Sequence, residues 1–157
     1  MPNDTSSEPQ RIVVLVGLPG SGKSTYLERL GVTALSSDAI RLLLADDVTD
    51  QTIHDRVFAT LRYLIEQRLA VGRPVTYVDA THLTPAERLP YIKLAQAHGC
   101  RIEAIFLDVP LEICLARNRA RTRVVPEAAM RLMAAKLEPP AIEEGFDRVT
   151  VVAGENR

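Results

Sequence analysis

Residues 17–25 read Gly17-Leu18-Pro19-Gly20-Ser21-Gly22-Lys23-Ser24-Thr25 and follow the apolar run Ile12-Val13-Val14-Leu15-Val16. This stretch matches in full the pattern Gly-x4-Gly-Lys-Ser/Thr of phosphate-binding loops. Its glycines let the backbone wrap with N–H groups turned inward, and a helix that follows adds a favourable dipole. The pattern requires a buried strand before the loop and a helix after it, and both are present in the sequence. The stretch therefore predicts a site for the phosphates of a nucleoside triphosphate, and the alternative is a glycine-rich turn without a ligand.

The pattern also assigns roles within the loop. We expect Lys23 to reach the β- and γ-phosphates of ATP and the Ser24 hydroxyl to bind Mg²⁺. Lys23 is expected to be an exposed loop residue that contributes little to stability. The nucleotide-binding residues expected in this loop are Gly17, Pro19, Gly20, Ser21, Gly22, Lys23, Ser24 and Thr25.

Length and composition limit the remaining possibilities. A chain of 157 residues can form one domain with a substantial core. The formal net charge of −1 provides no global basic field for nucleic acid, so any such contact must come from local arginines. No apolar run approaches the about 20 residues of a membrane span, and the polar N-terminus lacks the pattern of a signal peptide. We expect a cytoplasmic protein with a disordered tail at residues 1–10 and a single kinase domain at residues 11–157.

Apolar strands alternate with helical patterns along the chain, which predicts a parallel sheet built from βαβ units. The expected strands lie at about residues 11–16, 33–36, 74–78, 102–109 and 148–152. Helices are expected at about 22–30, from 38, from about 51 to 71, 84–99, 111–119, and from 126 to the Pro139-Pro140 pair. We predict a three-layer α/β fold of the P-loop NTPase type, with a five-stranded parallel sheet of order 2-3-1-4-5.

Acidic residues follow several predicted strands, at the edge where such folds bind ligands. Asp38 begins a helix three positions before Arg41. One interpretation makes Asp38 the group that orients an attacking hydroxyl and accepts its proton, with Arg41 holding a phosphate. The other is a dipole-favoured acid in an exposed ion pair worth about 0.3–0.5 kcal/mol. Asp79 ends a strand and either reaches Mg²⁺ or caps a turn, whereas Asp108 is interpreted as structural.

Four arginines lie close together after the fourth strand. They are Arg117, Arg119, Arg121 and Arg123. The segment is either a solvated run of charge or a lid, at about residues 117–126, that brings guanidinium groups onto the β/γ-phosphates. His54 and His98 are interpreted as surface or hydrogen-bonded residues without metal-ligand spacing. The motifs together indicate a small P-loop phosphotransferase.

The sequence resembles the kinase domain of bacterial polynucleotide kinase-phosphatases, within the wider group of P-loop 5′-hydroxyl polynucleotide kinases. The similarity extends from Ile12 to about Val152. The motifs that carry it, besides residues 17–25, are Ser37-Asp38-x-x-Arg41, Asp46-Asp47-x-x-Asp50-Gln51, Asp79-Ala80-Thr81 with Arg88, and Arg117-Asn118-x-x-Arg121-Thr122.

This resemblance implies ATP and Mg²⁺ as ligands, with Asp38 as the general base and Arg41 on the acceptor side. It implies a lid in which Arg121, with Arg117 or Arg123, contacts the ATP phosphates. The acceptor side is expected to include Asp38, Arg41, Asp79, His82 and Arg88, and the metal ligands are expected to be Ser24 and Asp79. The chain departs from the family at His82, where the family has asparagine, and in the spacing after Arg121.

The function expected from these motifs is an ATP-dependent kinase of a 5′-hydroxyl DNA or RNA end. A kinase of a small hydroxyl metabolite such as a sugar, nucleoside or nucleotide-sugar is the first alternative. A nucleotide-dependent regulatory module is the second, although such a module needs no base on the acceptor side.

Overall fold

A computed structural model describes residues 8–122 and 124–153. Most of the predicted tail and Arg123 lie outside the described residues. Five strands form one parallel sheet of order β2-β3-β1-β4-β5: β1 (Arg11–Val16), β2 (Ala34–Ser36), β3 (Val75–Asp79), β4 (Arg101–Asp108) and β5 (Arg148–Ala153). The predicted sheet, its strand order and its class are confirmed.

The described helices are α1 (Lys23–Leu30), α2 (Ser37–Ala45), α3 (His54–Ala70), α4 (Pro85–His98), α5 (Leu111–Arg119) and α6 (Glu127–Lys136). Ser36 caps α2 by accepting a hydrogen bond from the Ala39 amide at 3.2 Å, so this helix starts one residue earlier than predicted. In contrast, α3 starts three residues later than predicted. The carboxylates of Asp47 and Asp50 each accept a hydrogen bond from the amide two residues ahead, which holds residues 47–52 in turns.

The strand before the phosphate-binding loop is buried on both faces. Five of the six residues of β1 are buried, as expected for a central parallel strand. Val14 and its alternate neighbours pack with residues of α2, α3 and α4, whereas Val13 and Leu15 pack with Leu27 of α1 on the other face. An apolar stripe of α3 is buried at Val57, Leu61 and Ile65. Helices on both faces of the sheet therefore fix the position of β1 and of the loop that follows it.

The phosphate-binding loop packs directly against the helices that follow β4. Gly20 has φ 83°, and a Cβ atom there would lie 2.7 Å from the carbonyl oxygen of Cys114 in α5. Only glycine meets both conditions without moving the backbone. Leu18 packs with Leu115 of α5 and Met130 of α6. The arginine segment between these two helices is therefore held beside the loop.

A buried ion pair joins α4 to the turn before β5. The side chain of Arg88 is fully buried, and its guanidinium donates two hydrogen bonds to the Glu144 carboxylate, at 2.9 and 2.8 Å, and a third to the carbonyl of His82. The structure therefore does not bring Arg88 to the acceptor side, where the sequence motif led us to expect it. The match of Arg88 to the family motif could not show that Glu144, 56 residues away in the sequence, pairs with this arginine.

Glu144→Gln is expected to lower the free energy of unfolding by about 3 kcal/mol. This is the lower end of the range for breaking a buried ion pair, because the amide still accepts one hydrogen bond while the Arg88 charge loses its counter-ion. Urea unfolding followed by circular dichroism measures the change. The control is Glu143→Gln at the exposed neighbouring position, which should change stability by less than about 0.5 kcal/mol. Equal unfolding midpoints for the two variants would contradict this role of the pair.

Candidate functional site

A cleft of about 1110 Å³ lies at the carboxyl ends of the strands. It contains most of the residues that the sequence motifs indicated: Pro19, Gly20, Gly22, Lys23, Ser24, Thr25, Asp38, Arg41, Asp79, Arg117 and Arg121. Neighbouring strands explain this convergence, because Ser36 at the end of β2 pairs in register with Asp79 at the end of β3. The phosphate-binding loop, the proposed base and two lid arginines thus line one cavity.

Lys23 is buried, and the expectation of an exposed lysine was wrong. Its side-chain nitrogen donates hydrogen bonds to the carbonyl oxygens of Gly17 and Leu18, both at 2.9 Å. Burial lowers the pKa of Lys23 to about 8, although the nearby Asp79 carboxylate acts in the opposite direction. Because the buried ammonium has already lost most of its water, its attraction to an anion placed beside it is screened less than it would be at the surface.

Two residues of the loop, Gly17 and Ser21, do not line the cleft and instead pack within the protein beneath the loop. Ser21 is buried, and its Oγ has no hydrogen-bond partner among the described residues. A Cβ atom at Gly17 would lie 2.6 Å from that Oγ, so the two positions fit only because residue 17 has no side chain. Gly17 also donates its N–H to the carbonyl of Thr81 at 3.0 Å, which ties the loop to the end of β3.

Ser24 and Asp79 supply oxygen atoms suited to a divalent cation. The Ser24 hydroxyl lies 3.5 Å from the Asp79 carboxylate at the wall of the cleft. Burial raises the pKa of Asp79, which the positive charge of Lys23 partly offsets. A hard cation would stabilise the ionised carboxylate, and Mg²⁺ typically takes one or two protein oxygens together with phosphate and water. The two residues therefore fit the Mg²⁺ that P-loop kinases typically use with ATP.

Asp38, Arg41 and His54 form a cluster on the opposite wall. Arg41 is 5% exposed, its Nη1 lies 3.8 Å from the Asp38 carboxylate, and its Nη2 lies 3.4 Å from Nδ1 of His54. The Nε atom of Arg41 has no hydrogen-bond partner among the described residues. Since arginine only donates, Nδ1 of His54 is the acceptor in this contact. The Asp38 side chain is 53% exposed and faces the cleft.

The arginine segment is tied to the phosphate-binding loop. Arg117 donates to the carbonyl of Gly20 at 3.2 Å, and Arg121 lines the cleft. Arg119 instead pairs with Glu127 at 3.2 Å. Asn118 joins the two ends of the segment, because its amide both donates to and accepts from the backbone of Val125, at 2.6 and 3.0 Å.

His82 is not brought to the acceptor side. Its ring is buried, with Nδ1 2.6 Å from the carbonyl oxygen of Leu15 and Nε2 3.1 Å from the hydroxyl of Tyr91. Burial lowers the pKa of His82 to about 4, so the ring is neutral at pH 7. The departure from the family's asparagine therefore lies behind the cleft wall, where it supports the backbone.

Other residues of the cleft were not identified from the sequence. They are Ser36, Val48, Thr49, His54 and Phe58 on the acceptor side, with Ala129 and Met133 near the lid. Ser37, Gln51 and Thr81 of the quoted motifs and residues 124–126 of the predicted lid also line the cleft. Most acceptor-side members belong to the turns at 47–52 or the first turn of α3. The motif at residues 46–51 could have indicated this wall, but the sequence analysis assigned no role in the site to it. His54, expected to be a surface residue, is exposed, but it lies at this wall.

Two further features concern only the part of the chain that the structure describes. No group of three or more His, Cys, Asp or Glu side chains in residues 8–122 and 124–153 has the arrangement of a metal site made by the protein alone. Within the same ranges, no helix combines the length and the apolar character required to cross a membrane.

Comparison with known proteins identifies the family and the fold. Residues 12–140 match a protein family described as an AAA domain. The chain is 30% identical over 151 residues to the bifunctional polynucleotide phosphatase/kinase of Schizosaccharomyces pombe, covering 93% of this chain and 34% of that protein. It is 23% identical over 143 residues to L-seryl-tRNA(Sec) kinase of Methanococcus maripaludis, covering 87% and 56% respectively. The chain therefore spans between a third and just over half of the length of these two curated relatives.

A solved structure shows the same fold over almost the whole chain. The gluconokinase from Sinorhizobium meliloti aligns with a TM-score of 0.60 and 24% identity, over 96% of this chain and 86% of that one. Likeness at this level establishes the shared fold of P-loop kinases and leaves the acceptor to be inferred from the site.

Binding of ATP is expected to take up about 0.5 proton at pH 8. The ligand-free Lys23, with a pKa of about 8, is then half protonated, and the anionic phosphates raise its pKa so that it becomes fully charged. As the pH rises further, Lys23 loses its charge and ATP affinity should fall by up to about tenfold per pH unit. Calorimetric titration in two buffers of different ionisation enthalpy measures the uptake.

Lys23→Arg is the test variant, because arginine stays charged across this range and should abolish the uptake. Lys93→Arg, at an exposed position of α4, is the matched control and should behave as wild type. Identical proton uptake in the Lys23→Arg variant and wild type would assign the proton to another group.

Proposed function

The chain belongs to the AAA domain family and has the fold of P-loop kinases, and on that premise we propose that it transfers the γ-phosphate of ATP to the 5′-hydroxyl end of a DNA or RNA strand. One observation carries the proposal: an acid and a buried arginine, Asp38 and Arg41, face the phosphate-binding loop across a single cleft. The acid provides a base for a hydroxyl group, and the arginine provides a site for an acceptor that bears phosphate.

The ATP phosphates are proposed to lie in the loop around Lys23. Its backbone amides and the N-terminus of α1 donate to the phosphate oxygens. Arg117 and Arg121 approach from the lid, where guanidinium groups can bind phosphate oxygens in a bidentate manner. Ser24 and Asp79 would hold Mg²⁺, which neutralises the charge that develops on the β- and γ-phosphate oxygens.

Transfer is proposed to proceed by in-line attack of the acceptor hydroxyl on the γ-phosphorus. The new bond joins the acceptor oxygen to phosphorus, and the bond between phosphorus and the β–γ bridging oxygen breaks to release ADP. Asp38 orients the hydroxyl and accepts its proton. Its exposure to the cleft leaves the carboxylate accessible to the acceptor.

Arg41 is proposed to hold the phosphate next to the acceptor hydroxyl. Its described contacts to Asp38 and His54 are long, at 3.8 and 3.4 Å, so its two terminal nitrogens retain hydrogen-bonding capacity toward the cleft that Arg41 lines. A buried guanidinium in a cleft suits an anionic group far better than the neutral hydroxyls of a simple sugar. The names of the two relatives, a polynucleotide phosphatase/kinase and a seryl-tRNA kinase, support an acceptor of this kind.

The acceptor is tested with γ-labelled ATP and a panel of 5′-hydroxyl DNA and RNA oligonucleotides, nucleosides, nucleotide-sugars and simple sugars. We expect label on the oligonucleotides and little on nucleosides, because a nucleoside lacks the phosphate that Arg41 would bind. Label only on a sugar or nucleotide-sugar would replace the proposal with a metabolite kinase. No label on any member, with intact ATP binding, would favour a regulatory module.

Asp38→Asn is expected to lower kcat by about 10²–10⁴-fold while leaving the KM for ATP within about twofold of wild type. The amide keeps the shape of the side chain but cannot accept the proton, and the ATP phosphates lie on the other wall of the cleft. Steady-state kinetics at saturating oligonucleotide measures both constants. Asp46→Asn is the control, because Asp46 is exposed at the end of the same helix and its φ of 59° suits asparagine. A parallel loss of ATP binding and turnover would point instead to a metal-binding or structural role for Asp38.

A further inference from the structure

A second cavity opens beside the acceptor wall of the cleft. It measures about 290 Å³ and lies between α3 and α4, and we call it the side pocket. It shares His54, Phe58 and Thr81 with the main cleft, so the two cavities adjoin at the wall that carries Arg41. A group attached to an acceptor held at Asp38 and Arg41 can therefore extend into the side pocket.

The walls of the side pocket are aromatic. The ring of Phe58 lines it from α3, and Tyr91, with Pro90, lines it from α4. His54 packs against Phe58 with a centroid separation of 4.8 Å and an interplanar angle of 42°, which fixes the orientation of the Phe58 ring at the opening. A flat apolar surface of this kind favours a planar partner, because every heteroaromatic ring offers a face for stacking.

The charges around the side pocket disfavour an anion. Asp55 and Glu87 place two carboxylates on its lining against the single guanidinium of Arg62. Of the two histidines, His82 is neutral at pH 7 because burial lowers its pKa to about 4. The lining therefore suits an uncharged group whose edge carries both hydrogen-bond donors and acceptors, and a phosphate is better placed at Arg41.

We infer that the side pocket binds the base of the acceptor nucleotide that carries the 5′-hydroxyl, by stacking on Phe58. The inference rests on the proposed function, since it assigns a position to one part of the proposed acceptor. A planar, uncharged heteroaromatic base matches the aromatic walls and the mixed polar rim. Neither a sugar alone nor a second phosphate matches both features. Phe58 is thus a specificity-determining residue, and it takes no part in the transfer of the phosphate.

The test compares two 5′-hydroxyl oligonucleotides that differ only at the terminal nucleotide, one with its base and one abasic. For wild type, loss of the base should raise the acceptor KM by about 5- to 100-fold, the range of one base–aromatic stack. Phe58→Leu, which keeps an apolar side chain without the ring, should raise the KM of the base-bearing oligonucleotide toward the abasic value. It should leave the abasic KM and the KM for ATP unchanged, and Phe58→Tyr should restore wild-type behaviour.

Tyr63→Leu is the matched control, because Tyr63 is an exposed aromatic residue of α3 that does not line the side pocket. An unchanged KM for ATP shows that each variant is folded. If wild type phosphorylates both oligonucleotides with the same KM, or if Phe58→Leu raises both acceptor KM values equally, the base does not bind on Phe58 and the proposed function stands. If wild type phosphorylates neither oligonucleotide, the proposed function fails, and the inference fails with it.

Discussion

Burial of the Lys23 ammonium is the constraint on which the site depends. A buried charge is costly unless polar groups surround it, and here the carbonyls of Gly17 and Leu18 perform that role. Both carbonyls point inward only because the loop is wrapped, and the wrap is held by the hydrogen bond from Gly17 to Thr81 and by the close approach of Gly20 to α5. The loop is therefore shaped for phosphate before any phosphate arrives, so little reorganisation accompanies binding.

A buried polar framework holds the backbone after β3. Two of its members, His82 and Arg88, were predicted from the sequence motifs to lie on the acceptor side. Burial raises the pKa of Tyr91, so its hydroxyl stays protonated and donates to Nε2 of His82, which leaves the proton on Nδ1 for the carbonyl of Leu15. Arg88, neutralised by Glu144, donates to the carbonyl of the same histidine. His82 has a positive φ of 48°, which turns its ring inward while Asp79 and Thr81 remain at the cleft. The framework therefore positions Asp79 and Thr81 at the cleft, while Tyr91 also lines the side pocket.

The features that followed from the sequence were those with local causes. The loop pattern, the continuous apolar run of β1 and the alternation of apolar strands with helical patterns have local causes, and together they predicted the sheet and its order. The same logic placed Asp38 and Asp79 at one edge, because parallel strands end together. Whether Lys23 is buried, or whether Arg88 faces a substrate or Glu144, depends on contacts between distant segments. Such contacts cannot be predicted from composition or from the spacing of residues. The contribution of α3 to the acceptor wall was missed for the same reason.

The distribution of charge makes the cleft suitable for a phosphate-bearing ligand although the chain has a formal net charge of −1. Among the described residues, the charged side chains that line the cleft are Lys23, Arg41, Arg117 and Arg121 against Asp38 and Asp79, so positive charges outnumber negative ones by two. At physiological ionic strength, charges more than about 8 Å away are largely screened, and the local excess decides what enters. Attraction is thus confined to phosphates that reach the cleft. Because the side pocket has the opposite balance, the phosphate and the base of the proposed acceptor would be directed to different cavities.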